Sequence, residues 1–120
     1  MVEVRATSQT EEALGLCRLA VNGHAGAGPK GRDLVCAAVS VLVETLGSWV
    51  LENPEDVVKE SRVMLEEGYA LIEAAAWKNK LPALTERFRL VEYGLKKLAE
   101  QYPEFVTFGD GQGERKDHEG

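Results

Sequence analysis

Cysteine, histidine and proline are scarce in this 120-residue chain, at two, two and four residues. Two cysteines cannot build the disulfide framework of a small secreted domain. No leader-like segment precedes them, so reduced thiols and a cytoplasmic location are expected. Long apolar runs are also missing. The longest, Leu34 to Val43, is interrupted by Ser40 and reaches about half of the ~20 residues a membrane span needs, so no membrane association is expected. Positive charge is in the minority: 14 Lys and Arg face 20 Asp and Glu, for a net charge of −6. That balance argues against direct nucleic-acid binding and suits a basic protein partner. No metal or cofactor is expected. What the chain does have is 44% hydrophobic residues, enough for one small core without metal or disulfide staples.

Apolar and polar residues alternate over Val2–Ala6 and, less cleanly, over Leu14–Val21, which predicts two strands joined by the polar segment Ser8–Glu12. From Asp33 the period changes. Val35, Val39, Leu42, Leu46, Trp49 and Val50 recur at three- and four-residue steps up to Asn53-Pro54, which predicts a helix with Asp33 as its N-cap. Val57–Leu65 and Tyr69–Ala75 flank Glu66-Glu67-Gly68, a turn signal, and read as a hairpin. A second helix follows, striped by Leu84, Phe88, Val91, Leu95, Leu98 and Tyr102, opened by Pro82 and closed by Pro103.

The order β-β-α-β-β-α predicts an α+β two-layer sandwich, a mainly antiparallel sheet of about four strands with two main helices on it. A single folded domain is expected over residues 1–106, with 107–120 as a disordered acidic tail. From Gly109 onward that tail has no large apolar side chain to offset the entropy of ordering.

The stretch from Gly23 to Ser40 carries the chemistry. His24 ends the second strand, a loop of Ala25, Gly26, Ala27, Gly28, Pro29, Lys30 and Gly31 follows, and Cys36 enters the first helical turn. A thiol attacks as thiolate, and a helix N-terminus favours that anion. With Asp33 as N-cap, Cys36 stands at the third helical position, where its N–H can bond the Asp33 carboxylate. On a helical wheel Cys36 lies on the flank of the apolar stripe with Ser40 one turn later, and the loop glycines allow imidazole and sulfur to meet. Taken singly, each residue has an ordinary reading: Cys36 as core, His24 as a strand-end residue, Ser40 bonded to a preceding carbonyl, Cys17 as a small apolar strand residue.

The same loop spells GxGxxG at Gly26, Gly28 and Gly31. A dinucleotide site needs a parallel βαβ unit with an acidic residue at the end of the next strand, whereas a charged hairpin follows this helix. The phosphate loop GxxxxGK[ST] fails too, because Arg32-Asp33 follows Gly31.

Gly23-His24-Ala25 together with Gly31-x-Asp33-Leu34-Val35-Cys36-Ala37-Ala38-Val39-Ser40 resembles the ribosomal-processing cysteine protease family, Prp. Gly94 to Val106, GLKKLAEQYPEFV, is similar to that family's closing helix and its Tyr-Pro end. The resemblance covers about Val2 to Val106. It implies a cytoplasmic bacterial endopeptidase, homodimeric and of α/β fold. Such an enzyme removes the N-terminal extension of large-subunit ribosomal protein twenty-seven during ribosome assembly. Carried over by position, Cys36 is the nucleophile and His24 the base, with Gly23, Asp33 and Ser40 as supporting residues and residues 25–31 as the substrate loop. The rival reading is a non-catalytic dimeric adaptor for a ribosomal component or assembly factor, with Cys36 inert in the core.

Overall fold

The computed structural model describes residues 1–23 and 33–110. Seven elements follow one another: β1 (Val2–Thr10), β2 (Leu14–Asn22), α1 (Leu34–Glu52), β3 (Arg62–Glu66), β4 (Tyr69–Trp77), α2 (Leu81–Gln101) and β5 (Val106–Asp110). The strands form one sheet in the order β3-β4-β2-β1-β5. Antiparallel pairing joins β1 to β2, β2 to β4 and β4 to β3, while β5 runs parallel to β1. Both helices are crossovers between parallel strands, α1 from β2 to β3 and α2 from β4 to β5. The crossovers leave strands of opposite direction and travel opposite ways across the sheet, so the right-handed rule puts both helices on one face.

The α+β two-layer class and the six elements read from the sequence are present, with three corrections. A fifth strand, β5, occupies Val106–Asp110, where the sequence reading ended the domain at 106 and began a tail at 107. Strand β1 runs on through Thr10, so Ser8, Gln9 and Thr10 pair with Cys17, Leu16 and Gly15 instead of forming a connection. Strand β3 begins only at Arg62; residues 57–61 are loop, held to β4 by the Val58 N–H bonded to the Ala75 carbonyl at 2.8 Å and the Ala75 N–H bonded to Ser61 Oγ at 3.2 Å. The expected tail from residue 111 onward lies outside the described residues.

Alternation along the strands decides what the helices cover. Val2, Val4 and Ala6 of β1, Cys17, Leu19 and Val21 of β2, and Ile72, Ala74 and Ala76 of β4 are buried in one core with Val35, Val39, Val43, Leu46 and Val50 of α1 and Leu84, Phe88, Val91 and Leu95 of α2. Apolar surface removed from water in this way is the main favourable contribution to folding. The helices lie antiparallel. Leu42 packs against Gly94, and the Arg87 guanidinium sits 4.4 Å from the Trp49 ring centroid, so helix numbers rise in opposite directions along the contact. By length and composition alone α1 is long and apolar enough to cross a membrane. In this fold Val35, Val39, Val43, Leu46 and Val50 pack into the core, while Leu34, Val41 and Leu51 are exposed.

Among the described residues no helix covers the other face of the sheet. On that face Arg18 and Arg62 clasp Glu73 from the strands on either side of β4, at 2.9 Å and 2.6 Å. The Arg62 hydrogen bond, with that of Arg18, holds the Glu73 carboxyl below its ordinary range.

Candidate active site

Helix α1 starts as the sequence predicts. Asp33 has extended backbone (φ −81°, ψ 95°), and its Oδ1 accepts the Cys36 N–H at 2.9 Å. The N-cap therefore fixes the turn that carries the thiol. Cys36 is partly buried, resting on the edge of the core, while Ser40 one turn later is exposed.

Opposite that turn, the end of β2 meets the β3–β4 turn. Gly23 donates its N–H to the Gly68 carbonyl at 2.8 Å and has φ +97°, a conformation that side chains disfavour. A Cβ on Gly23 would collide with the backbone carbonyl oxygen of Met1. Gly68, with φ +78°, allows the tight two-residue turn that brings its carbonyl there.

A cleft of about 760 Å³ lies between these parts. Of the residues singled out in the sequence, Gly23, Asp33, Cys36 and Ser40 all line it. His24 and the substrate-loop residues Ala25, Gly26, Ala27, Gly28, Pro29, Lys30 and Gly31 lie outside the described residues. The sequence reading missed the opposite wall, which is built by Leu65, Glu66, Glu67, Gly68 and Tyr69, and it missed Glu44 on α1. Glu44 had a signal: it is the only charge in α1 before Glu52, and it continues the four-residue steps Cys36, Ser40, Glu44. The hairpin residues had none, since a turn sequence does not announce which helix it will face.

The two cysteines differ sharply. Cys17 is 3% exposed, its sulfur 4.0 Å from Thr85 Oγ1, and burial pushes its thiol pKa up, opposed in part by the Thr85 hydrogen bond. Cys36 lies at the cleft surface. Iodoacetamide is expected to label Cys36 in the native protein and Cys17 only after unfolding, as peptide mass mapping would read. Equal protection of both thiols would place Cys36 in the inert core of the adaptor reading.

Solved structures share the fold. The S. aureus ribosomal processing protease Prp, determined with a covalently linked product peptide, superposes with TM-score 0.67 over 92% of this chain and 99% of that one, at 18% identity. A Streptococcus mutans protein of solved structure superposes with TM-score 0.62 over 92% and 93% of the two chains, at 28% identity. The fold is that of these small α+β proteins. The family model for cysteine protease Prp matches residues 1–107. The ribosomal processing cysteine protease Prp of Mycoplasma pneumoniae is 33% identical over 100 residues, covering 83% of this chain and 90% of the relative. The chain belongs to the Prp family of ribosomal processing cysteine proteases.

Proposed function

We propose that this protein is an endopeptidase whose Cys36 attacks the scissile carbonyl, with His24 as its general base. One observation carries the reading: Cys36 sits in a capped first helical turn and opens into a peptide-sized cleft whose wall includes Gly23, the residue directly before His24. His24 takes the thiol proton, and the sulfur forms a bond to the carbonyl carbon. The imidazolium then gives that proton to the leaving amine as the C–N bond breaks. Water, deprotonated by His24, attacks the thioester and releases the acid and the thiol. Asp33 already occupies the Cys36 N–H, so that amide does not serve the oxyanion. The amides of Leu34 and Val35, in the same turn and without an intrahelical acceptor, are the better donors.

The substrate in this reading is the N-terminal extension of large-subunit ribosomal protein twenty-seven, a basic protein whose charge complements the net −6 of the enzyme. The enzyme works in the cytoplasm as a homodimer. Mass spectrometry of a peptide spanning the extension junction of the host's own ribosomal protein tests the reading directly. A single cut by the wild-type protein is expected. An intact peptide, with folding verified, would shift the assignment to the adaptor.

A further inference from the structure

The walls of the Cys36 cleft are lopsided in charge. Glu44 stands on the helical side and Glu66 and Glu67 on the hairpin side; among the described residues no lysine or arginine lines the cavity. Glu44, Glu66 and Glu67 are exposed and, among the described residues, engage in no ion pair, whereas Glu73, Asp56 and Glu100 elsewhere each hold an Arg or Lys partner. Asp33 adds a fourth carboxylate, engaged as the α1 N-cap; Ser40 and Tyr69 are polar, and Val2, Val21, Val39, Val43, Leu65 and Ala70 are apolar. Low-dielectric walls bearing one sign of charge focus the field inside a cleft.

Resting on the peptidase reading, we propose that Glu44, Glu66 and Glu67 are specificity-determining residues that select peptides carrying a lysine or arginine close to the scissile bond. Helix geometry sets the spacing. Glu44 is eight residues beyond Cys36, a rise of about 12 Å along α1. An extended peptide advances about 3.3 Å per residue, so the cation that meets Glu44 is three or four residues from the bond cut at Cys36. Glu66 and Glu67 approach the same ligand from across the cleft. The preference takes the form of a rejected partner as well as an accepted one, since an acidic side chain at that position meets carboxylates of its own charge.

The field at the sulfur can be measured without any peptide. Two methanethiosulfonates, one bearing trimethylammonium and one bearing sulfonate, react with a thiolate by the same step: the S–S bond forms and methanesulfinate leaves. The ratio of their rates at Cys36, cationic over anionic, is expected to fall about tenfold in the triple variant Glu44→Gln, Glu66→Gln, Glu67→Gln at low salt, and the difference is expected to shrink at about 0.5 M salt. An unchanged ratio would overturn the inference, whatever the enzyme cleaves. A series of junction peptides with lysine or glutamate moved residue by residue then locates the position. Glu44→Lys is expected to weaken the lysine preference three or four residues from the cut bond more than at any other position, and an equal loss at every position would overturn the spacing. If no peptide is cut while the rate ratio does shift, the peptidase reading falls and the acidic cleft stands.

Discussion

Cys36→Ala is expected to abolish peptide cleavage, by at least about a thousandfold, while the protein stays folded. Removing a nucleophile from a covalent mechanism leaves only binding and oxyanion stabilisation, and these alone fall short by several orders of magnitude. The structural cost is small for two reasons. Cys36 sits at the margin of the core, so losing one sulfur removes about 1 kcal/mol of burial at most. The cap that starts α1 uses the backbone N–H of residue 36, which alanine retains. Product analysis of the junction peptide and a urea melt, run side by side, check both halves. Cleavage at the wild-type rate by a folded Cys36→Ala protein would remove Cys36 from the mechanism. Loss of cleavage accompanied by unfolding would contradict the placement of Cys36 at the margin of the core.

The sequence disclosed the elements whose signals are local. Asp33 and the valine-rich stripe after it define α1 from its cap to Asn53, whose side-chain amide bonds the Trp49 carbonyl at 2.8 Å. Helix α2 is equally legible between Pro82 and Pro103, and the Tyr102 N–H closes it on the Leu98 carbonyl. The elements misread are those whose pairing is distant. Val106-Thr107-Phe108 is too short to show alternation, and it becomes a strand because β1, about a hundred residues away, offers it a parallel edge. Ser8 to Thr10 look like a loop by composition yet pair with β2 because the β1 register carries them there. Tertiary context overrides strand propensity in both places.

The site divides along the same line. Asp33, Cys36 and Ser40 could be placed together from helical spacing alone. The opposite wall could not, because the β3–β4 turn is brought to the cleft by the long-range β2–β4 pairing that ends at Asn22 and Tyr69, continued by the Gly23 N–H bonded to the Gly68 carbonyl. That bond joins the strand end that leads into His24 to the turn that carries Glu66 and Glu67. One glycine therefore couples the proposed catalytic loop to the proposed specificity wall.

Gly23→Ala is accordingly expected to cost about 2–4 kcal/mol of stability and most of the activity. Two penalties combine. The backbone at φ +97° is unfavourable for any residue with a Cβ, by about 1–2 kcal/mol. The new methyl group also collides with the Met1 carbonyl oxygen, and this is backbone that cannot rotate away as a side chain would. Relief requires moving either residue 23, which strains its bond to Gly68, or the start of β1, where Glu3 pairs with Asn22 and Val2 with Val106. Either shift displaces a wall of the cleft. Gly23→Asn separates the two penalties, because asparagine tolerates positive φ better than alanine but carries the same Cβ. Both variants are expected to be destabilised, with asparagine recovering at most about 1 kcal/mol, as urea melts and junction-peptide cleavage would show. An alanine variant as stable and as active as wild type would mean that the end of β2 is not held against β1 and the hairpin turn, and the cleft would lose the contact that organises it.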